Sequence, residues 1–338
     1  MNRSVTRSPR VAHAPWAALC FACWLGLALP ITADRAVAQS WPSRTITAVV
    51  PFGPGTSIEA VGRPMLEQLS RLLGQPIVIE NRPGANGSVG VEAVARAKPD
   101  GYTLLFASNS ILCINPVLYK ALPYDAAKDF APVTLGTVGS PILLVNLDVP
   151  VRSLVEFVAY AKARPGQVTY GTPGIGSNQH MAIELLQHLT GIRMVHVPYK
   201  NQPQVMIDLM AGQLHAAVEF AAVATPFVQA GKMRAIAIIG PERKPLLPDV
   251  PTAADQGFPE FEITSWNGYL VPAGTPPEII ARLNRALTAA MRSSDFVAYM
   301  TSIGGHVRAG APDEFAAFIK SEQGRWAKLV KDTGVHLD

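Results

Sequence analysis

The chain has 338 residues, long enough for two domains with a core each, and its 49% apolar and 16% charged residues make a well-packed globule the default. The formal net charge of +4 drops to +1 once an N-terminal export signal is set aside. With no basic run left, nucleic acid and anionic membrane surfaces are excluded as expected partners.

The signal occupies residues 1–38. Arg3, Arg7 and Arg10 precede an apolar run from Trp16 to about Ala33, and Ala36, Val37 and Ala38 form the small-x-small pattern of a signal peptidase site, so cleavage is expected after Ala38. A retained membrane anchor is the other reading, for which the run is short. Cleavage removes four basic residues and one acidic residue, leaving 25 against 24. Cys20 and Cys23 leave with it, and Cys20-Phe21-Ala22-Cys23 is a poor lipidation pattern. Cys113, between Leu112 and Ile114, then stands alone. An intramolecular disulfide and a cysteine zinc site are excluded, and Cys113 reads as a small buried hydrophobe.

Strands and helices alternate from there. The β-branched run at 46–50 is a strand leading into PFGPGTS (51–57) and a helix to about Leu73, with Val61, Met65, Leu66, Leu69 and Leu72 at helical spacing. Residues 77–80 form a second strand, followed by a glycine-rich turn (81–88) and a helix near 91–97. A buried strand at 102–107 ends at Ser108, Asn109 and Ser110, small polar residues suited to a carboxylate or an amide. Strands at 133–136 and 142–146 lead into a new region.

In that region a helix (154–163) precedes YGTPGIGSNQH (170–180), a strand end, a glycine-rich turn and a helix start. Glycine lets a ligand approach the backbone, Ser177 is positioned as N-cap, and the free N–H groups of a helix start attract anions. Taken alone, the stretch is either an anion site or an ordinary tight loop, since Gly-x-Gly strings are weak evidence. Strands at 194–199, 215–220 and 233–239 alternate with helices at 207–211 and 225–230. The chain returns near Ile263 to Trp266, and helices at 276–291, 294–302 and from Pro312 through Trp326 close it. The alternation predicts mainly parallel sheets covered on both faces. The domains expected are 39–143 with 265–338, and 144–264.

Several chemistries fail on spacing. Gly176-Ser177-Asn178-Gln179-His180 puts Gln where a nucleophile elbow needs its second glycine, and no glycine-rich turn continues as Gly-Lys-Ser/Thr. His180, His188, His196 and His215 lack zincin spacing, so neither catalysis nor a metal nor any cofactor is expected. What remains is a set of turns at strand carboxyl ends, rich in glycine, hydroxyl and amide groups and poor in charge. They suit a small anion held by backbone N–H groups, and with secretion and two α/β lobes they suggest a hinge-closing solute receptor.

Motifs along the mature chain carry a family likeness: VPF (50–52) with Pro54 and Gly55, ENRPGA (80–85), KPDGYTLL (98–105), INPVLY (114–119), LPYD (122–125), the 170–180 turn, HVPYK (196–200), DVPT (249–252) and PAGTP (272–276). In this order they resemble the substrate-binding receptors of tripartite tricarboxylate transporters, the Bug family. The resemblance implies a two-lobed α/β periplasmic binding protein of type II-like fold, with a hinge and an interdomain cleft. It implies a monomer that binds a small carboxylate and delivers it to the membrane subunits of such a transporter. A receptor signalling to a sensor protein, and a secreted hydrolase using Ser177, are the other readings.

By resemblance the ligand is enclosed by loops 52–57 and 172–177, which makes Phe52, Gly55, Thr56, Ser57, Thr172, Gly174, Ile175, Gly176 and Ser177 candidates. Ser108 and Asn109 join them from their strand end. Ser177 either only caps its helix or also touches ligand, His180 is either a partner of the loop or a ligand contact, and Glu219 and Phe220 face either cleft or core. Arg63 and Arg82 are expected to hold their loops. Two positions depart from the family's pattern of Gly-Gly and then Asp in the first loop. Thr56 replaces the second glycine and Glu59 the acid, so a narrower pocket and a different ligand are expected. Asn201 replaces the glycine after Tyr-Lys, a matter of local turn geometry.

Overall fold

The computed structural model describes residues 41–335. The export signal, its cleavage after Ala38, Cys20 and Cys23 lie outside them. β1 (Ile46–Val50) feeds α1 (Ser57–Leu73), and β2 (Ile77–Asn81) feeds a 3-10 turn and α2 (Ser88–Ala95). β3 (Thr103–Ser108) runs into a π-helical turn (Ser110–Ile114) and the short α3 (Asn115–Leu118). β4 (Phe130–Gly139) is separated from β5 (Pro141–Val145) by Ser140 alone. Then come α4 (Leu154–Lys162), β6 (Thr169–Thr172), α5 (Asn178–Thr190), β7 (Val195–Pro198), α6 (Gln202–Met210), β8 (Ala216–Phe220), α7 (Ala221–Gln229) and β9 (Arg234–Ile238). After a long connection follow β10 (Ser265–Pro272), α8 (Pro277–Met291), α9 (Ser294–Ser302), β11 (Gly305–Val307) and α10 (Pro312–Thr333).

Two sheets result, in the orders β11-β4-β10-β3-β1-β2 and β7-β6-β8-β5-β9. The chain leaves the first sheet at Ser140 and returns to it with Ser265. Both sheets are mixed, not mainly parallel. The strand–helix units pair in parallel, β1 with β2 and β3, and β6 with β7 and β8. The strands next to the crossings, β4, β5 and β10, pair antiparallel throughout. A buried strand is apolar whichever way its neighbour runs, so its composition does not encode this difference.

Strand alternation splits the core into two layers, each drawing on both sheets. Ile46, Ala48, Val50, Ile142 and Leu144 face one, and Val49, Leu143 and Val145 the other. α1 buries Val61, Met65, Leu66, Leu69 and Leu73 and stops at Gly74, whose left-handed backbone (φ 67°) closes the end with an N–H bond to Ser70 O. Cys113 is fully buried in the layer that holds Val49 and Leu143, and burial raises its thiol pKa. Arg63 pairs with Glu59 and Arg82 with Glu80, each holding its own segment. Among the described residues no helix is long and apolar enough to cross a membrane.

Candidate functional site

The β1–α1 turn reaches the cleft by way of its own side chains. Glu59, in the first turn of α1, reaches back so that its Oε2 accepts the Gly55 N–H at 2.8 Å. Its other oxygen takes Arg63. The departure from Asp to Glu thus supplies the extra methylene that ties the loop down. Thr56 is the N-cap residue, but its hydroxyl donates to Gly53 O (3.1 Å) and makes no cap bond. The added hydroxyl is satisfied within the loop.

The β6–α5 turn is also internally bonded. Thr172 Oγ1 accepts from Gly174 N (3.2 Å) and shares a 2.6 Å bond with His196 Nε2. Ser177 is the N-cap of α5: its Oγ accepts the His180 N–H at 3.2 Å and donates to Gly174 O at 2.8 Å. The imidazole of His180 lies near the Gly176 N–H (3.4 Å to Nδ1) and stacks in a file with His196 and Tyr170. Burial pushes His180 down to about 3 and His196 to about 4, so both are neutral rings at physiological pH. Ser177 therefore bonds the backbone of His180 and not its ring, and the pair is a helix cap, not a nucleophile and base. Gly176 adopts φ 81°, and a Cβ there would stand 2.9 Å from Leu118 Cδ1 and 3.0 Å from Asn86 Nδ2. Gly176→Ala is expected to cost about 1–3 kcal/mol, read from urea midpoints of ligand-free protein. An unchanged midpoint would contradict the close approach.

Between these turns lies a cavity with about 480 Å³ of empty space. Its lining contains the N-cap or first residue of four helices: Thr56 and Ser57 for α1, Ser177 and Asn178 for α5, Gln202 for α6, and Phe220 for α7. First-turn N–H groups have no partner inside their helix and carry the positive end of the dipole. Phe52, Ile58, Ser108, Ser110, Pro173, Gln179 and Ser265 complete the wall, without a lysine or arginine. Ser108 Oγ and both side-chain polar atoms of Gln202 are buried and without a hydrogen-bond partner in the protein. Glu219, fully buried at the end of β8, accepts the Phe220 N–H (2.7 Å) on one carboxylate oxygen and has no partner for the other. Burial pushes it up to about 7. Gln202 and Ser57 stand near enough to lower it slightly, without hydrogen bonds of normal geometry.

Of the candidates from sequence, Phe52, Thr56, Ser57, Ser108, Ser177 and Phe220 meet in this cavity. Gly174 and Ile175 line the outer groove beside it, with Phe52 and Tyr199. Thr172, Gly176, His180 and Glu219 are buried outside the lining, and Gly55 is exposed and outside it, its N–H held by Glu59. Asn109 is fully buried and engaged elsewhere, its amide paired reciprocally with Asn178 (2.9 and 2.6 Å) while Ser265 Oγ bridges the two (2.9 and 3.1 Å). This three-residue knot joins the end of β3, the start of α5 and the start of β10 across both sheets. Ser110, read with Ser108 as a small polar residue suited to a carboxylate, lines the cavity too, whereas Ile58, Pro173, Asn178, Gln179, Gln202 and Ser265 are lining residues not among the candidates from sequence. Gln202 was within reach of sequence reasoning, because it opens the helix after β7 as Ser57 opens the one after β1.

Comparison with known proteins decides the family. The family model described as tripartite tricarboxylate transporter family receptor matches residues 61–335. The chain belongs to this receptor family. The receptor is 36% identical to BugT of Bordetella pertussis over 94% of its own length and 96% of that protein's. The solved R. palustris Rpa4515 with adipate superposes with a TM-score of 0.84 at 33% identity, covering 88% of this chain and 99% of the other. MatC from Rhodopseudomonas palustris with bound malate gives 0.80 at 34% identity, covering 86% and 99%. The receptor thus has the two-lobed fold of periplasmic solute-binding proteins, and its family consists of binding proteins, not enzymes.

Proposed function

We propose that the receptor captures a small carboxylate in the cavity between the β1–α1 and β6–α5 turns and delivers it to the membrane subunits of a tripartite tricarboxylate transporter. The observation that carries this reading is the convergence of four helix N-termini on one uncharged cavity. Helix starts offer N–H donors and partial positive charge to an anion at no cost of burying a cationic side chain. The contacting groups are the first-turn N–H groups of α1 and α5 with the side chains of Ser57, Ser177 and Gln202. The ligands of the adipate-bound and malate-bound relatives fit the same chemistry.

Capture takes place in the periplasm, after export and cleavage at Ala38, by a monomer. Two lobes, one built on each sheet, close on the ligand about the segments around Ser140 and Ser265. Purified receptor, unfolded and refolded to strip carried-over ligand, is expected to melt higher with a subset of mono- and dicarboxylates. At 100 times the dissociation constant the gain is about 2.7 kcal/mol. A melting temperature indifferent to the whole series would sink the carboxylate reading.

A further inference from the structure

A second cavity, with about 550 Å³ of empty space, adjoins the first, and Ser57, Ile58, Ser108, Phe220 and Ser265 line both. Its floor holds Lys244, from the connection after β9. The lysine is only 3% exposed, and its Nζ donates to Gly304 O at 2.6 Å. Gly304 makes room for it, since a Cβ at that position would stand 2.3 Å from Lys244 Cδ.

An ammonium has three donors and a full positive charge. Here one donor is used, on a carbonyl just past the end of α9, and a helix C-terminus supplies at most about half a compensating charge. The charged neighbours are committed elsewhere. Glu242 is exposed and bonded to His306 (3.3 Å), and Arg243 is paired with Asp255 (2.9 Å). Burial lowers Lys244 to about 8, with the charge of Glu242 opposing the shift without pairing, which still leaves the ammonium as the main form at neutral pH. Buried charges in proteins are paired, and this one faces a cavity in place of a carboxylate. The same wall carries Ser108 Oγ, buried and without a partner. Trp266 and Met300 give the cavity apolar sides that an aliphatic chain would cover.

We propose that the second cavity is a distal anionic subsite of the receptor, in which Lys244 and Ser108 hold a carboxylate at the far end of a ligand whose first carboxylate sits at the helix N-termini. This rests on the proposed carboxylate function and names the residue that would separate dicarboxylates from monocarboxylates.

The test titrates refolded receptor calorimetrically with linear α,ω-dicarboxylates from succinate to suberate and with monocarboxylates of the same chain lengths. The unsubstituted protein is expected to favour its best dicarboxylate over the matching monocarboxylate by about 30-fold or more. Lys244→Met is expected to erase that preference, leave monocarboxylate affinity within about 3-fold, and raise the melting temperature of the ligand-free protein by removing an unpaired buried charge. Lys244→Gln serves the same purpose should the methionine variant fail to fold, and the comparison on unsubstituted protein stands without either. Equal affinity of unsubstituted receptor for the two series, or a preference that survives loss of the ammonium, overturns the subsite while leaving the carboxylate reading intact. Binding of neither series overturns both.

Discussion

Replacing Asn178 with leucine is expected to lower the stability of the ligand-free receptor by about 2–4 kcal/mol. The substitution keeps the number of side-chain heavy atoms but removes both hydrogen bonds to Asn109 and the one to Ser265. It also strands the Asn109 amide, which is fully buried and would keep only its bond from the Ser265 hydroxyl. A stranded buried amide costs more than its bonds gained, because its desolvation is no longer offset. Asn109→Leu should cost a similar amount for the mirror-image reason. The double substitution should cost clearly less than the two together, with a coupling of about 1–3 kcal/mol from urea denaturation of all four proteins. Because the knot joins β3 and β10 of the first sheet to α5 of the second, Asn109→Leu, which lies outside the cavity lining, should also weaken ligand binding without touching ligand. Additive effects, or singles that leave stability unchanged, would show that the amide pair is not a unit.

The knot marks the limit of what the sequence discloses. Strand and helix positions are legible wherever apolar period and turn residues agree: α9 spans the residues 294–302 expected of it, and β1 the run 46–50. β11, three residues at a sheet edge, has no period to read, and the π-helical turn hides because Ile111, Leu112, Cys113 and Ile114 continue the apolar run of β3. The two binding turns are legible from their glycines and caps. Which of their N–H groups remain available is not, since that depends on side chains several positions away. Glu59 takes Gly55, Thr172 takes Gly174, and His180 lies against Gly176, which shifts the available donors from the glycines to the first residues of the helices. Asn109 illustrates the same point from the other side. A small amide at a strand end suits a ligand, and only the third dimension reveals Asn178 opposite it. At Thr56 too the hydroxyl is spent locally, on Gly53 O, while the residue itself lines the cavity.

Glu219 should make the stability of the ligand-free receptor fall as pH rises from about 5 to 8. Its carboxyl is pushed up to about 7 in the folded protein from an ordinary 4.5, chiefly by burial, with the Phe220 N–H and its neighbours Gln202 and Ser57 opposing the shift. A raised acid binds its proton more tightly in the folded state, so the folded state holds more protons between those two values. Its contribution is complete below the unfolded pKa and is lost as pH rises through the folded one. The loss over that window is about 3 kcal/mol. His180 and His196 act in the opposite sense. Their folded values near 3 and 4 lie below the ordinary 6.5, so their contribution is present above 6.5 and lost as pH falls toward 4. The raw profile is therefore a dome, and the difference between unsubstituted receptor and Glu219→Gln isolates the carboxyl. Glutamine keeps an oxygen for the Phe220 N–H and can never ionise. The two proteins should unfold at nearly the same urea concentration at pH 4, and the variant should be the more stable at pH 8. The same difference should reach the ligand, because an ionised Glu219 behind Gln202 and Ser57 repels a carboxylate in the cavity while a protonated one does not. Carboxylate affinity of the unsubstituted receptor should weaken from pH 6 to pH 8, and that of Glu219→Gln should stay level. Parallel stability profiles for the two proteins would mean that Glu219 ionises at its ordinary pH and is reached by solvent.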